Sequence, residues 1–173
     1  MNERIEKMLA GQSIPVEDIP KIDLYMDQLL GLFEDHFDSF RRTDEDKILT
    51  KTMINNYVKA KVVMRPEKKK YGIDHTIQLA MLYQLKGVLS IHDLHTLNQG
   101  IGKVDGSLEE VYREFLAMEE ETLTDMGTYL EQYKSDLSAD DKMRMISKLL
   151  IESSIKKRLA EMLLDEFEET LTE

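Results

Sequence analysis

The side chains best suited to chemistry fall between Leu49 and Leu94. Lys51, Thr52, Asn55, Asn56 and Lys59 share the outer side of a predicted short helix. Lys68, Lys69, Lys70 and Tyr71 follow it after a loop broken by Pro66. An Asn side chain makes a bidentate contact to adenine in the major groove, which makes Asn55 and Asn56 candidate base readers. Lys51, Lys59, Lys68, Lys69 and Lys70 are candidates for phosphate contacts, which fix register without reading sequence. Tyr71 is placed either to hydrogen-bond a phosphate or to pack beneath its own loop. The charge of the chain changes sign around these residues. Positions 41–86 carry eleven Lys and Arg against five Asp and Glu, a balance of +6, whereas the remainder carries twelve against 29, a balance of −17. A basic island in an acidic protein is the electrostatic footprint of a nucleic-acid reader; the bland alternative is an ordinary solvated face.

The residues from Met53 to Val63 resemble the second helix of a MerR-type helix-turn-helix and the exit from it. That family reads there roughly Thr-Leu-Arg-Tyr-Tyr-Glu-Lys-x-Gly-Leu-Leu. Ile54, Tyr57, Lys59, Val62 and Val63 match in type, while Asn55 stands at the usual Arg and Asn56 at the first Tyr. Lys69, Lys70 and Tyr71 resemble the family's wing, and Leu89-Ser90-Ile91 with Leu94 resembles its turn into the next helix. A wider pattern is similar to Gram-positive bacterial proteins related to YkrK. It joins Ile19, Pro20 and Ile22 to Gln28 with Thr50 to Tyr57 and Lys68 to Tyr71. The resemblance implies a DNA-binding winged helix-turn-helix. One departure stands out: the charged connection Arg41 to Lys47 is longer than the family's turn.

Other chemistries have little support. His92 and His95 sit three apart on a predicted helix, but no His-Glu-x-x-His pattern accompanies them, and His36 reads as a surface residue. Gly100-Ile101-Gly102-Lys103 lacks the first Gly of a phosphate loop, and Val104 replaces the hydroxyl residue that would hold magnesium. No Gly-x-Ser-x-Gly elbow occurs. With no Cys there is neither a disulfide nor a thiolate metal site. The expectation is a protein that is not an enzyme and needs no cofactor or metal.

The elements that must position the basic residues are helical. Three Pro, eight Gly and 33% charged residues fit a helix-rich chain. Ile22, Tyr25, Met26, Leu29, Leu30, Phe33 and Phe37 recur at helical spacing, which predicts a helix from Ile22 to about Phe40. Thr50 is a fitting N-cap for the next helix, with Met53, Ile54 and Tyr57 as its core stripe. Val62-Val63-Met64 and Lys68 to Tyr71 predict a two-stranded wing. Asp74 is expected to cap a helix with Ile77, Leu79, Met81, Leu82 and Leu85 inward, and Ser90 another with Ile91, Leu94 and Leu97 inward. Ser107 to Glu110 is a capping box opening a long helix to about Tyr133, with Val111, Phe115, Met118, Leu123, Met126 and Leu130 as burial candidates. Ser138 opens the last helix.

The expected fold class is therefore mainly α. Residues 1–98 are read as a MerR-like winged helix-turn-helix domain with a short β-hairpin wing. Residues 107–173 are read as a C-terminal helical dimerisation or sensing module. The expected function is sequence-specific binding of double-stranded DNA by a transcriptional regulator; the alternative is an all-helical protein-interaction or adaptor module. The last helix places Ile146, Ser153, Ala160 and Phe167 in one seven-residue row and Met143, Leu150, Lys157, Leu164 and Leu171 in another. Such a seam pairs helices, with Ile146, Leu150, Ala160, Leu164 and Phe167 as candidate homodimer contacts. Equally, it could pack on the Ser107–Tyr133 helix of its own chain. No apolar run approaches a membrane span and Met1 to Leu9 lacks the apolar core of a signal peptide, so a cytoplasmic location without membrane contact is expected. Any small-molecule or protein effector is left unspecified.

Overall fold

A computed structural model of the chain describes residues 3–11, 13–43, 45–131 and 137–172. These residues form seven α-helices and one small sheet. In chain order they are α1 (Glu3–Ala10), β1 (Leu24–Tyr25), α2 (Met26–Phe37), α3 (Lys51–Lys59), β2 (Lys70–Tyr71), α4 (Ile73–Leu85), α5 (Ile91–Ile101), α6 (Leu108–Glu131) and α7 (Ala139–Thr172). Short 3-10 turns lie at Val16–Asp18 and Asp38–Phe40. The expectation of a mainly helical fold with a small β element holds.

The core is built around α4, which buries Thr76, Ile77, Leu79, Ala80, Met81 and Leu82. A helix apolar on most of its circumference belongs inside. Around it lie Leu29, Phe33 and Phe37 of α2, Ile54 and Tyr57 of α3, and Tyr112 of α6. Phe37 stacks 5.3 Å from Phe33 and meets Tyr83 of α4 at 4.4 Å between ring centroids. Tyr112 shares this buried cluster with Ile14 and Leu79, so the packing continues past the glycine-containing segment 98–106. The packing on α4 reaches only the first part of α6 among the fully buried residues.

Local capping follows the sequence closely. The Met53 amide donates to Thr50 Oγ1 at 3.1 Å, the Asp93 amide to Ser90 Oγ at 3.2 Å, the Glu110 amide to Ser107 Oγ at 3.2 Å and the Asp141 amide to Ser138 Oγ at 3.1 Å. Each satisfies an amide that the first helical turn leaves free.

Several expectations are corrected. The helix expected from Ile22 begins at Met26; Ile22 is 70% and Tyr25 56% exposed, because residues 24–25 are drawn into a strand. That strand pairs with β2 in the register Leu24 with Tyr71 and Tyr25 with Lys70. The partner of the Lys70–Tyr71 strand is thus not Val62–Met64. Val62 and Val63 are instead buried where α3 ends. Asp74 does not cap α4: the helix starts at Ile73, and the Gly72 amide donates to His75 Nδ1 at 3.1 Å. Ile91 and Met118 are exposed, while Tyr112, absent from the expected core, is fully buried.

A polar clamp fastens the N-terminal segment to α6. The Tyr112 hydroxyl donates to Ile14 O at 2.8 Å. The Ser13 amide and hydroxyl donate to the Glu119 carboxylate at 3.0 and 3.1 Å, and Gln84 Nε2 donates to Ser13 Oγ at 2.9 Å and to Glu119. Burial pushes the Glu119 carboxyl above its ordinary pKa, opposed in part by the two Ser13 bonds. Between the ordinary and the raised value, native Glu119 holds a proton that the unfolded chain has lost. The stability from this group therefore falls as pH rises through that window. Denaturant unfolding of the wild type and Glu119→Gln, from about pH 4.5 to 7, should show the wild type losing stability relative to the variant as pH rises. Parallel curves would contradict this.

Candidate nucleic-acid interface

The candidate surface begins with α3. Ile54 and Tyr57 turn into the core and Met53 is half-buried, which leaves Lys51, Thr52, Asn55, Asn56 and Lys59 on the exposed side. All five expected contact residues of this helix are thus exposed. Burial also raises the Tyr57 hydroxyl above its ordinary pKa, so it stays neutral. The principal packing partners of α6 are α1 and α4, and that of α7 is α5, so the C-terminal half does not cover this face.

The end of α3 is fixed by a Schellman arrangement. The Val62 amide donates to Tyr57 O at 2.9 Å and the Lys61 amide to Val58 O at 3.2 Å. Lys61 takes the left-handed conformation this needs, with φ +59°, a position that favours Gly. His95 Nδ1 lies 3.1 Å from Lys61 O and ties the exit to α5. Residues 64 and 65 then run along α4: the Met64 amide donates to Gln78 Oε1 at 3.0 Å, and Arg65 O lies 3.2 Å from His75 Nε2.

The chain reverses at Glu67–Lys70, where the Lys70 amide donates to Glu67 O at 2.8 Å. Both central residues have positive φ, +48° at Lys68 and +65° at Lys69. This is the signature of a type I′ turn, whose two central positions favour Asn and Gly. A lysine held left-handed costs on the order of 1 kcal/mol. Here two adjacent lysines sit in that conformation, both exposed. Lys70, in β2, lays its Nζ 5.5 Å from the centroid of the Tyr25 ring.

Two contacts join the turn to α3 through the start of α2. Lys70 pairs with Tyr25 across the sheet, and two residues later Asp27 pairs with Lys51 Nζ at 2.8 Å. Asp27 is 82% exposed in its side chain. Such a solvated ion pair is weak. Tyr71 is different. At 4% exposure it packs beneath the turn, edge-on to His75 at 5.6 Å, and burial raises its hydroxyl pKa. The packing role is the one realised, and Tyr71 leaves the set of surface contacts. Sequence reasoning did not single out Lys61 and Arg65, both exposed between helix and turn. The cations recurring at 59, 61, 65 and 68–70 were the signal that could have found them.

The remaining candidates separate. His92 lies 3.6 Å from Glu168 while His95 turns to Lys61 O, so the pair does not converge. Among the described residues no group of three or more His, Asp or Glu could hold a metal ion. Gly100 owes its place to packing: a Cβ there would stand 2.5 Å from Phe167 Cε1. Of the residues in the α7 seam, Ile146, Leu150 and Ala160 are exposed, Leu164 is half-buried, and Phe167 rests on Gly100 of its own chain. Among the described residues no helix is long and apolar enough to cross a membrane.

Residues 14–115 match the family described as domain of unknown function (DUF1836), more than half of the 173 residues. The chain belongs to this family. No curated protein and no solved structure matches it. The DUF1836 region contains α3, the lysine turn and both strands, whereas α7 lies beyond it.

Replacing Lys68 by Asn and Lys69 by Gly together should stabilise the protein by about 1–2 kcal/mol, because both fit a left-handed turn. Denaturant unfolding measures this, and a double variant no more stable than wild type would contradict a strained turn.

Proposed function

We propose that this DUF1836 protein is a transcriptional regulator that binds double-stranded DNA sequence-specifically. In this reading α2 and α3 act as a MerR-like helix-turn-helix, and the lysine turn with β1 and β2 acts as its wing. The observation that carries the proposal is the pairing of an exposed polar helix face with a turn that keeps two lysines left-handed where Asn-Gly is preferred. Backbone strain of this kind gathers at functional positions. Asn55 and Asn56 would read base edges from the major groove. Lys51, Lys59, Lys68, Lys69 and Lys70, with Thr52, Lys61 and Arg65, would hold the phosphates. The remainder of the chain is acidic in net balance, which disfavours nonspecific DNA binding by the molecule as a whole.

The proposal includes a homodimer built on α7. This helix of 34 residues is roughly 50 Å long. Among its exposed apolar residues, Ile151, Ile155, Leu159 and Met162 are each more than half exposed and share one face. Its charge is segregated. Positions 142–158 hold six cations and one acid, and positions 161–172 hold five acids and no cation. Two such helices side by side in antiparallel order set opposite charges together, and parallel order sets like charges together. A dimer also suits a reader of paired half-sites, whose centres lie about 34–36 Å apart. The stripe from Ile151 to Met162 is the pairing surface in this reading; Ile146 and Leu150, from two separate seven-residue rows, lie on another side of α7. Sedimentation at micromolar concentration should give a dimer, and Ile155→Asp with Leu159→Asp a folded monomer. A wild-type monomer would sink the dimer and leave the DNA claim standing.

If about five phosphates are neutralised, the slope of log K against log salt should be roughly −4 to −5. Lys68→Ala, Lys69→Ala and Lys70→Ala together should flatten that slope. An unchanged slope would remove the turn from the interface.

A further inference from the structure

A cavity of about 840 Å³ opens between α1 and the segment that leaves α2, on the part of the chain that leads into α3. Its volume falls in the range of small-molecule sites, on the order of 300–1,000 Å³. Its lining has two parts. Ile5 and Met8 of α1, both exposed, face it together with Phe40. Four cations, Arg4, Lys7, Arg41 and Arg42, also line it, against the single carboxylate of Asp38. A balance of +3 in the lining of a protein of net charge −11 is a local reversal of sign.

The cations are held in place by groups that leave room for a ligand. Arg4 donates to the backbone carbonyl of Arg42. Lys7 Nζ pairs with Asp38 Oδ2 at 2.6 Å, and Arg41 Nη2 pairs with Glu34. Asp38 Oδ1 stands 3.7 Å from Arg41 Nε, too far for a hydrogen bond. Arg41 Nε and Ser39 Oγ are both shielded from solvent without a hydrogen-bond partner. A shielded donor without a partner is costly; Ser39 Oγ packs closely on Gly11, so it and Arg41 Nε would meet an acceptor oxygen in the cavity only after a small shift. Arg42 pairs its backbone amide with Asp46 at 2.9 Å, and its guanidinium makes no ion pair within 4 Å among the described residues. The Thr43 amide and hydroxyl and the Arg42 amide hold the Asp46 carboxyl below its ordinary pKa, with a smaller contribution from the Arg42 charge.

We propose that this cavity binds a small amphipathic carboxylate, its anionic group held by Arg42, Arg41 Nε and Ser39 Oγ and its apolar body lying on Ile5, Met8 and Phe40. A guanidinium matches the planar carboxylate, and the apolar residues favour a hydrocarbon body over a free inorganic anion. The inference goes beyond the DNA-binding reading and does not depend on it.

Sodium octanoate is the probe, with octylamine and octanol as cationic and neutral counterparts of the same length. Calorimetry on the full chain should show saturable one-to-one binding of octanoate that is at least about tenfold tighter than either counterpart. The amide NMR signals that move should be those of α1 and residues 38–43. Arg42→Gln keeps the backbone carbonyl that Arg4 uses and should weaken octanoate about tenfold or more. Ser39→Ala, which removes only a hydroxyl, should weaken it in the same direction. No saturable binding, equal binding of all three probes, or shifts confined to the apolar face of α7 would overturn the proposal. So would octanoate affinity unchanged in both variants.

Discussion

The burial of α4 is the constraint on which the other elements depend. With Ile77, Leu79 and Ala80 fully buried, this helix needs neighbours on several sides. α2, α3, the Val62–Val63 segment and the start of α6 supply buried partners to the same cluster. That demand decides which side of α3 is left over. Ile54 and Tyr57 are spent on the core, so the polar residues of a nine-residue helix must face out. The same helix anchors the segment beyond α3 through Gln78 and His75 and the loop before it through Lys86, whose Nζ donates to Ile48 O at 2.7 Å. Partial burial lowers the Lys86 pKa, and its ammonium also lies 4.1 Å from the Tyr83 ring centroid. The candidate surface is thus an outcome of core packing rather than of its own local stability.

How much of this was legible depended on sequence distance. The caps at Thr50, Ser90, Ser107 and Ser138 involve partners three residues away, so local spacing was enough to find them. The polar and apolar sides of α3 followed from helical periodicity for the same reason. The strand pair was not legible. Two residues carry no alternation, and the partner of Lys70–Tyr71 lies far back at Leu24–Tyr25. Helical spacing continued through Ile22 and Tyr25, and the tertiary pairing overrode it. Tyr112 was missed because its burial depends on Ile14, 98 residues away. Tyr71 had two readings that only the packing around His75 separates. The left-handed lysines were equally hidden, since nothing in Glu-Lys-Lys-Lys announces positive φ.

Charge and strain act together in the account. An exposed lysine at a turn is ordinary; two lysines held left-handed, beside a helix bearing exposed Asn and Lys, are harder to explain by stability alone. Outside positions 41–86 the chain carries a balance of −17, which disfavours a phosphate backbone over the molecule as a whole, although positions 142–158 are themselves basic. The charges of α7 are segregated along its length, and in the proposed dimer they would favour antiparallel over parallel order.

The central claim is that the outer face of α3 reads duplex DNA. Selection of binding sequences from a random duplex library by the purified full chain tests it most directly, run in parallel with Asn55→Ala combined with Asn56→Ala. The account predicts that wild type enriches an inverted repeat with half-sites about one helical turn apart, and that the double variant loses preference at adenine-containing positions while still retaining DNA. Absence of any enriched motif with the wild-type protein would contradict the account, as would an identical motif from the variant.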